Sequence, residues 1–373
     1  MSIAERLKSI RRESSSDAPG DPERFRRVAL TRTEMMSQPD AIRETLAANR
    51  APLAAIAEDL AKRDIRRVVM IGCGDSWISG YGVRQAMEEA LGAPCEPYEA
   101  FDFDCYGTGV TDASTVVIGL SSSGKTQPVI SGMKKAAARG AYTIGLSNTL
   151  GSPLMEEFPG ALHIRATRGG WPTQSSTAAM ALKLALVAEI ARRKGAGAAI
   201  LARLDAGLAA LPAQVDAVAQ TFFEPAHALA QRLARAELVL LCGAGGAYAP
   251  AAFGAAKLKE LAPIHAIAFP LEEYHHYRTQ KAGDPLFVIA PDAQSHERAV
   301  ETVIMSRGCE GVCIALVPVG ETEITGIADV TWHLPPVDDA FAPILYAIPL
   351  HLFGYHAAVE RDALGLGAPS LGG

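Results

Sequence analysis

The chain begins the same α/β pattern twice, and that repetition constrains its fold more than any other feature. "RRVVMIGCGDSW" (66–77) and "ELVLLCGAGGAY" (237–248) are each an apolar run that ends in a glycine turn and opens a helix. "VVIGLSSSGKTQPV" (116–129) is echoed in the same way by "LFVIAPDAQSHERAV" (286–300). Short apolar runs bounded by glycines predict buried strands. Strands that alternate with helices predict a parallel sheet covered on both faces. In the first unit the strands are "RRVVMIGCG", "STVVIGLS", "YTIGLSN" and "ALHIRA". Helices follow at 76–92 and 125–139, with a long one at 175–195 that Gly195 ends. A single helix is expected from Asp40 to Lys62, with Ile42, Leu46, Leu53, Ile56 and Leu60 on its apolar face and Pro39 just before it. The second unit adds "VCIALVPV", "DVTWHLP" and a closing helix near 341–361. Residues 196–235, rich in Ala and Leu, read as a helical connector. The expected organisation is an arm with the start of the first helix (1–48), a first unit (49–195), the connector (196–235) and a second unit with its tail (236–373). Each unit is a doubly wound parallel sheet flanked by helices, flavodoxin-like in class.

Composition narrows the function. The formal charge of −6 argues against broad phosphate neutralisation on nucleic acid. The six cysteines form no CxxC pair and no zinc-like group with histidine, so they point to no metal site, and no organic cofactor is expected either. Free thiols in a reducing cytoplasm fit them better than disulfides. The first ~25 residues, with "SSSDAPGDP", read as a flexible arm and lack an apolar signal region. No apolar run reaches the roughly 18 residues of a membrane span.

The stretch "GLSSSGKTQPV" (119–129) has three readings. From Gly119 to Thr126 it formally fits the Walker A pattern, although Gly119 and Leu120 read as the end of a strand. Alternatively, Ser121, Ser123 and Thr126 belong to a hydroxyl loop at the strand's C-terminal edge, where helix-start amides favour an anion. In a purely local reading, Ser123 caps the next helix. Similar turns occur at "GCGDSW", with Gly74 and Ser76, and at "TQSSTAAM", with Ser175, Ser176 and Thr177. Three such turns in one unit can converge on an anionic head group. The second unit's counterpart, "APDAQSHE", has lost the run of hydroxyls.

"GCGDS", "SSSGKT" and "SST", in that order, resemble the sugar isomerase (SIS) domain. The resemblance runs from residue 32 to residue 362 and is to tandem-SIS proteins: the isomerase half of glucosamine-6-phosphate synthase and the fructosamine-phosphate deglycases. It implies a sugar-phosphate site at Gly74, Ser76, Ser121, Ser122, Ser123, Thr126 and Ser176, with Lys125 adding positive charge. It further implies that Glu260, in "KLKE", shuttles a proton between C1 and C2 and that His276, at the family's spacing, handles the sugar oxygens. Lys257 matches a lysine near the substrate, and His265 reads as a core or supporting residue. The chemistry is coherent: proton transfer between adjacent carbons of a carbonyl sugar needs a carboxylate base and a group titrating near neutrality. The resemblance also implies a homodimer in which a neighbouring subunit supplies the histidine. The small-molecule partner is a sugar phosphate, and neither nucleic acid nor membrane is implied.

Two departures from the family stand out. "YRTQ" follows His276, with Tyr277 and Arg278 where the family often has Gly-Pro, so Arg278 can meet a negative group on the substrate. The tail "RDALGLGAPSLGG" has no lysine, which puts a lysine-assisted ring-opening step in doubt. No glutamine-hydrolysing domain is expected. The competing expectations are a phosphosugar aldose–ketose isomerase or fructosamine-phosphate deglycase, a non-catalytic sugar-phosphate-binding regulator, and an isomerase of another anionic sugar such as a sulfosugar. No DNA-binding segment is read ahead of the two units.

Overall fold

A computed structural model describes residues 2–8, 18–277 and 280–367. Part of the arm, Arg278 and the end of the tail lie outside the described residues.

Among the described residues, ten strands form two five-stranded sheets, parallel throughout. The first contains β1 (Arg67–Gly72), β2 (Cys95–Glu99), β3 (Thr115–Leu120), β4 (Tyr142–Ser147) and β5 (Gly160–His163). The second contains β6 (Leu238–Gly243), β7 (His265–Pro270), β8 (Pro285–Ile289), β9 (Val312–Pro318) and β10 (Val330–Leu334). Their spatial orders are β2-β1-β3-β4-β5 and β10-β9-β8-β6-β7. Read from the other edge and renumbered within its own unit, the second order is identical to the first. Both are the doubly wound order in which chain direction reverses beside the first strand. The chain is therefore an α/β duplication with two crevices of common design.

β3 and β4 are buried at every position, as helices on both faces of a parallel sheet require. β2 carries no such signal. "CEPYE" pairs only with β1, at the sheet edge, where proline and charged residues are tolerated. The single helix expected over 40–62 is two helices, Gln38–Ala48 and Arg50–Ala61. Asn49 separates them. Its amide donates to the carbonyls of Thr45 (2.6 Å) and His163 (2.7 Å) and accepts from the His163 amide (2.9 Å), tying the break to β5.

The two units interlock through helices. Asp75–Leu91 of the first unit packs against Tyr248–Leu261 of the second, which lies along Ala342–Ala363. Between the units runs Ala198–Leu233, with Pro212 and Pro225 inside it. By length and composition, two helices among the described residues are apolar enough to cross a membrane, contrary to the reading from sequence. Ala342–Ala363 is almost wholly buried core. Ala198–Leu233 buries Leu211, Val215, Val218 and Phe222, and its most apolar window is largely exposed.

Candidate functional site

The C-terminal ends of β1 and β3 open onto a cleft of about 480 Å3. Gly74 and Ser76 line it, as do Ser121, Ser122, Ser123, Thr126 and Ser176. Ala256, Lys259 and Glu260 from helix Tyr248–Leu261 close its other side. The first unit's loop and the second unit's carboxylate thus share one space.

The loop is pre-formed. The Ser121 hydroxyl lies 2.7 Å from that of Thr126 and 3.3 Å from that of Ser123. Gly124 closes the turn at φ +65°, and a Cβ there would sit 1.9 Å from Ser152 Oγ, so only glycine fits. Gly119 is an interior residue of β3, paired with Ile71 and Gly145, so the Walker wrap does not form. Nor is Ser123 the helix cap. Thr126 occupies that position before Gln127–Ala138, and its side chain makes no capping bond. Ser123 Oγ instead accepts from the Lys125 amide at 3.3 Å. The helix start and several hydroxyls are left facing the cleft, an arrangement suited to a tetrahedral anion.

Sequence reasoning missed Arg168 and Asp75 here, and named Ser175 only as part of the turn "TQSSTAAM". Arg168 lines the cleft and donates to the Ser122 carbonyl (3.1 Å) and the Thr149 hydroxyl (3.2 Å), placing a fixed positive charge beside the loop. Ser175 lines it and accepts from the Asn148 amide at 2.9 Å. Asp75, the one charged residue of "GCGDS", lines the cleft at the start of its helix. Lys125, by contrast, is exposed and outside the lining.

Beneath Glu260 lies Lys257, whose side chain is fully buried. Its ammonium hydrogen-bonds the Glu260 carboxylate and sits 3.1 Å from that of Asp75. Burial alone would lower the lysine pKa, but the two carboxylates outweigh it and the net shift is upward. Glu260 is also raised: burial pushes it up and Asp75 adds to that, against the pull of Lys257 and Arg27. Gly354 of helix Ala342–Ala363 permits this burial, because a Cβ there would meet Lys257 Cβ at 2.8 Å. Cys73 lines the cleft as a thiol pushed up to about 11 by burial and Glu99, so it is no thiolate near neutrality.

The histidines stand elsewhere. His276 is exposed, on the short helix Glu273–His276 beyond β7, with Nε2 3.1 Å from Glu272. His275 is 2.8 Å from the Thr302 hydroxyl, and burial and Arg298 lower its pKa. Neither lines the cleft. His265, expected in the core or in a supporting position, is exposed at the start of β7.

The second unit has its own crevice, about 550 Å3, at the ends of β6 and β8. It is larger, but its arginines are already paired. Arg203 holds Glu89 (2.8 Å) and Asp338 (2.7 Å), and Arg298 holds Glu272 (2.6 Å). Asp292 occupies its loop, accepting from the Ser295 amide (2.8 Å) and hydroxyl (3.0 Å). An anion gains little there.

Fold and cleft define a class: a tandem α/β duplication with a hydroxyl-lined anion cradle at one of its two switch points. The SIS domain family matches residues 62–191 and 232–361, and the chain belongs to that family. Among curated proteins it is similar to glutamine–fructose-6-phosphate aminotransferase (isomerizing) of Aquifex aeolicus. They are 31% identical over 330 residues, 87% of this chain and 54% of that protein. The Bacteroides thetaiotaomicron counterpart is 29% identical over 338 residues, 87% of this chain and 55% of its own length. The chain thus spans about half the length of these relatives. Among solved structures, the C-terminal domain of glucosamine-fructose-6-phosphate aminotransferase from Francisella tularensis superposes with a TM-score of 0.81. That match is at 21% identity and covers 91% of this chain and 97% of that one. Tagatose-6-phosphate ketose/aldose isomerase from Escherichia coli superposes at 0.68, with 17% identity and coverage of 88% and 92%. At such identities, these structures establish the fold.

Proposed function

We propose that the chain is a phosphosugar aldose–ketose isomerase or fructosamine-phosphate deglycase that moves a proton between C1 and C2 of an open-chain sugar phosphate. The supporting observation is the shared cleft: the first unit's hydroxyl loop and Arg168 face the same space as Glu260, which stands on a buried ammonium. The loop holds the phosphate with Ser121, Ser122, Ser123 and Thr126, completed by Gly74, Ser76 and Ser176. Glu260 takes a proton from one carbon as electrons move toward the carbonyl oxygen, and returns it to the neighbouring carbon. On an aldose or ketose this interconverts the two. On a ketoamine it turns the C1 amine into an imine, which water hydrolyses to free amine and aldose phosphate. Lys257 stays protonated beside the base and steadies the negative charge that develops on the sugar oxygens.

His276 belongs to this reading as the group that serves a second subunit's cleft, in a homodimer whose sites form between copies. Arg278 stands in the same segment. Inactive Glu260→Gln and His276→Ala proteins, mixed as dimers, should recover about a quarter of wild-type activity, since half of the dimers are mixed and each of those has one intact site. No recovery refutes the shared site. The free cysteines fit a reducing, cytoplasmic setting.

The deciding experiment incubates the protein with hexose, amino-sugar and fructosamine phosphates, and with a sulfosugar, in deuterated water under NMR. Deuterium at C1 or C2 that disappears in Glu260→Gln supports the proton shuttle. Loss of kcat there should be on the order of 10²–10⁴-fold. Binding without exchange across all substrates identifies a sugar-phosphate-binding regulator. Turnover unchanged in Glu260→Gln overturns the mechanism.

A further inference from the structure

We propose that Asp75, contributed by the first unit, is a positioning residue for this proton transfer: it holds the Lys257 ammonium in place beneath Glu260. The inference rests on the reading of Glu260 as the base. It starts from a buried charge. Lys257 has no exposed side-chain surface, and an ammonium removed from water needs close anionic partners. Glu260 is one, but Glu260 has to bind and release a proton in every turnover. When it is protonated, the ammonium would be left uncompensated. Asp75 supplies the second carboxylate at 3.1 Å, and its own side chain is only 15% exposed. Its Oδ2 also accepts from the Ser176 hydroxyl at 3.4 Å, so Asp75 joins the proposed substrate-binding serines to the lysine.

The arrangement has a consequence for the base. With Asp75 present, Lys257 divides its attraction between two carboxylates, and the Asp75 charge itself raises Glu260. Without it, Lys257 bonds Glu260 alone, which becomes a weaker base. The remaining groups that face the pair do not substitute for Asp75. Arg27, on helix Pro22–Met36, lowers Glu260. His351, on helix Ala342–Ala363, is kept neutral by burial, its pKa pushed down to about 3. Lys259 and Arg168 line the cleft as cations.

The test measures kcat/KM against pH for wild type, Asp75→Asn and Asp75→Glu on the substrate that turns over. Asp75→Asn should lose about tenfold at neutral pH and move its acid limb down by roughly half a unit to one unit. A new alkaline limb should appear as Lys257, short of one counter-charge, loses its proton. Asp75→Glu should restore the wild-type shape. An Asp75→Asn profile of wild-type shape, whatever its height, overturns the proposal, because a merely structural defect lowers all pH values alike. Melting temperatures of Asp75→Asn, Lys257→Met and the double variant form a second arm that needs no activity. Asp75→Asn should lower the melting temperature clearly in the wild-type background and much less in the Lys257→Met background. Additive shifts overturn the proposal. If wild type turns over nothing, that failure belongs to the proposed function, and the melting arm alone decides whether Asp75 holds Lys257.

Discussion

The two crevices of this chain share strand order, turn position and a following helix, yet the first is lined by a hydroxyl loop suited to an anion and the second is not. In the first unit, the loop after β3 presents hydroxyls, an uncapped helix start and Arg168. In the second, the loop after β8 presents Asp292, and the nearby arginines are held by carboxylates. Topology fixes where a ligand can sit, and a few side chains decide whether it does. The second unit has instead given the first crevice its helix Tyr248–Leu261, and with it Glu260 and Lys257. Duplication here has produced a division of roles.

That contrast can be broken by substitution. The largest effect is expected at Gly124, where valine must adopt φ +65° against Ser152. KM should rise by about 100-fold or more, from loss of a phosphate's charged hydrogen bonds. A KM within twofold of wild type would show that the loop does not hold the substrate. Removing single hydroxyls, with Ser121→Ala or Thr126→Val, should each raise KM about tenfold, the worth of one hydrogen bond to a charged group. Arg168→Ala should raise KM by about three- to tenfold and flatten its dependence on salt, which titration at two ionic strengths would read. The pH profile sharpens the other side of the comparison. Because the active form of Glu260 is ionised and burial raises its pKa, kcat/KM should fall on acidification through a midpoint above the ordinary glutamate value of about 4.3. The smallest change is expected from the mirror-image substitutions Asp292→Ala and Ser295→Ala, which should leave KM within about twofold. A tenfold rise there would mean that both crevices bind, and the asymmetry would fail.

Much of this was legible in the sequence where one physical signal dominates. The strands β1, β3 and β4 are continuous apolar runs because both of their faces are buried. β2 was missed because an edge strand does not need that signal. The break at Asn49 was missed because its cause, hydrogen bonds to His163, lies far along the chain. In the site, hydroxyls clustered at turns pointed to the loop. Asp75 stands within "GCGDS", but nothing in that motif points to Lys257, which folding alone brings beside it. Arg168 stands in no motif. His276 keeps its spacing from Glu260, but the fold of the chain does not bring it to the cleft, and spacing along a chain cannot report that.

The crossing of helix Tyr248–Leu261 over the first unit's cleft also acts as a caliper. One jaw is the hydroxyl loop, and the other is Glu260, carried by a helix locked against Asp75–Leu91, where Gly82 leaves no clearance between Met180, Pro343 and Ala249. Under the proposed function, a substrate gripped at its anionic end is measured along its carbon chain, and a sugar one carbon too short or too long is held as firmly and yet presents the wrong bond to the carboxylate.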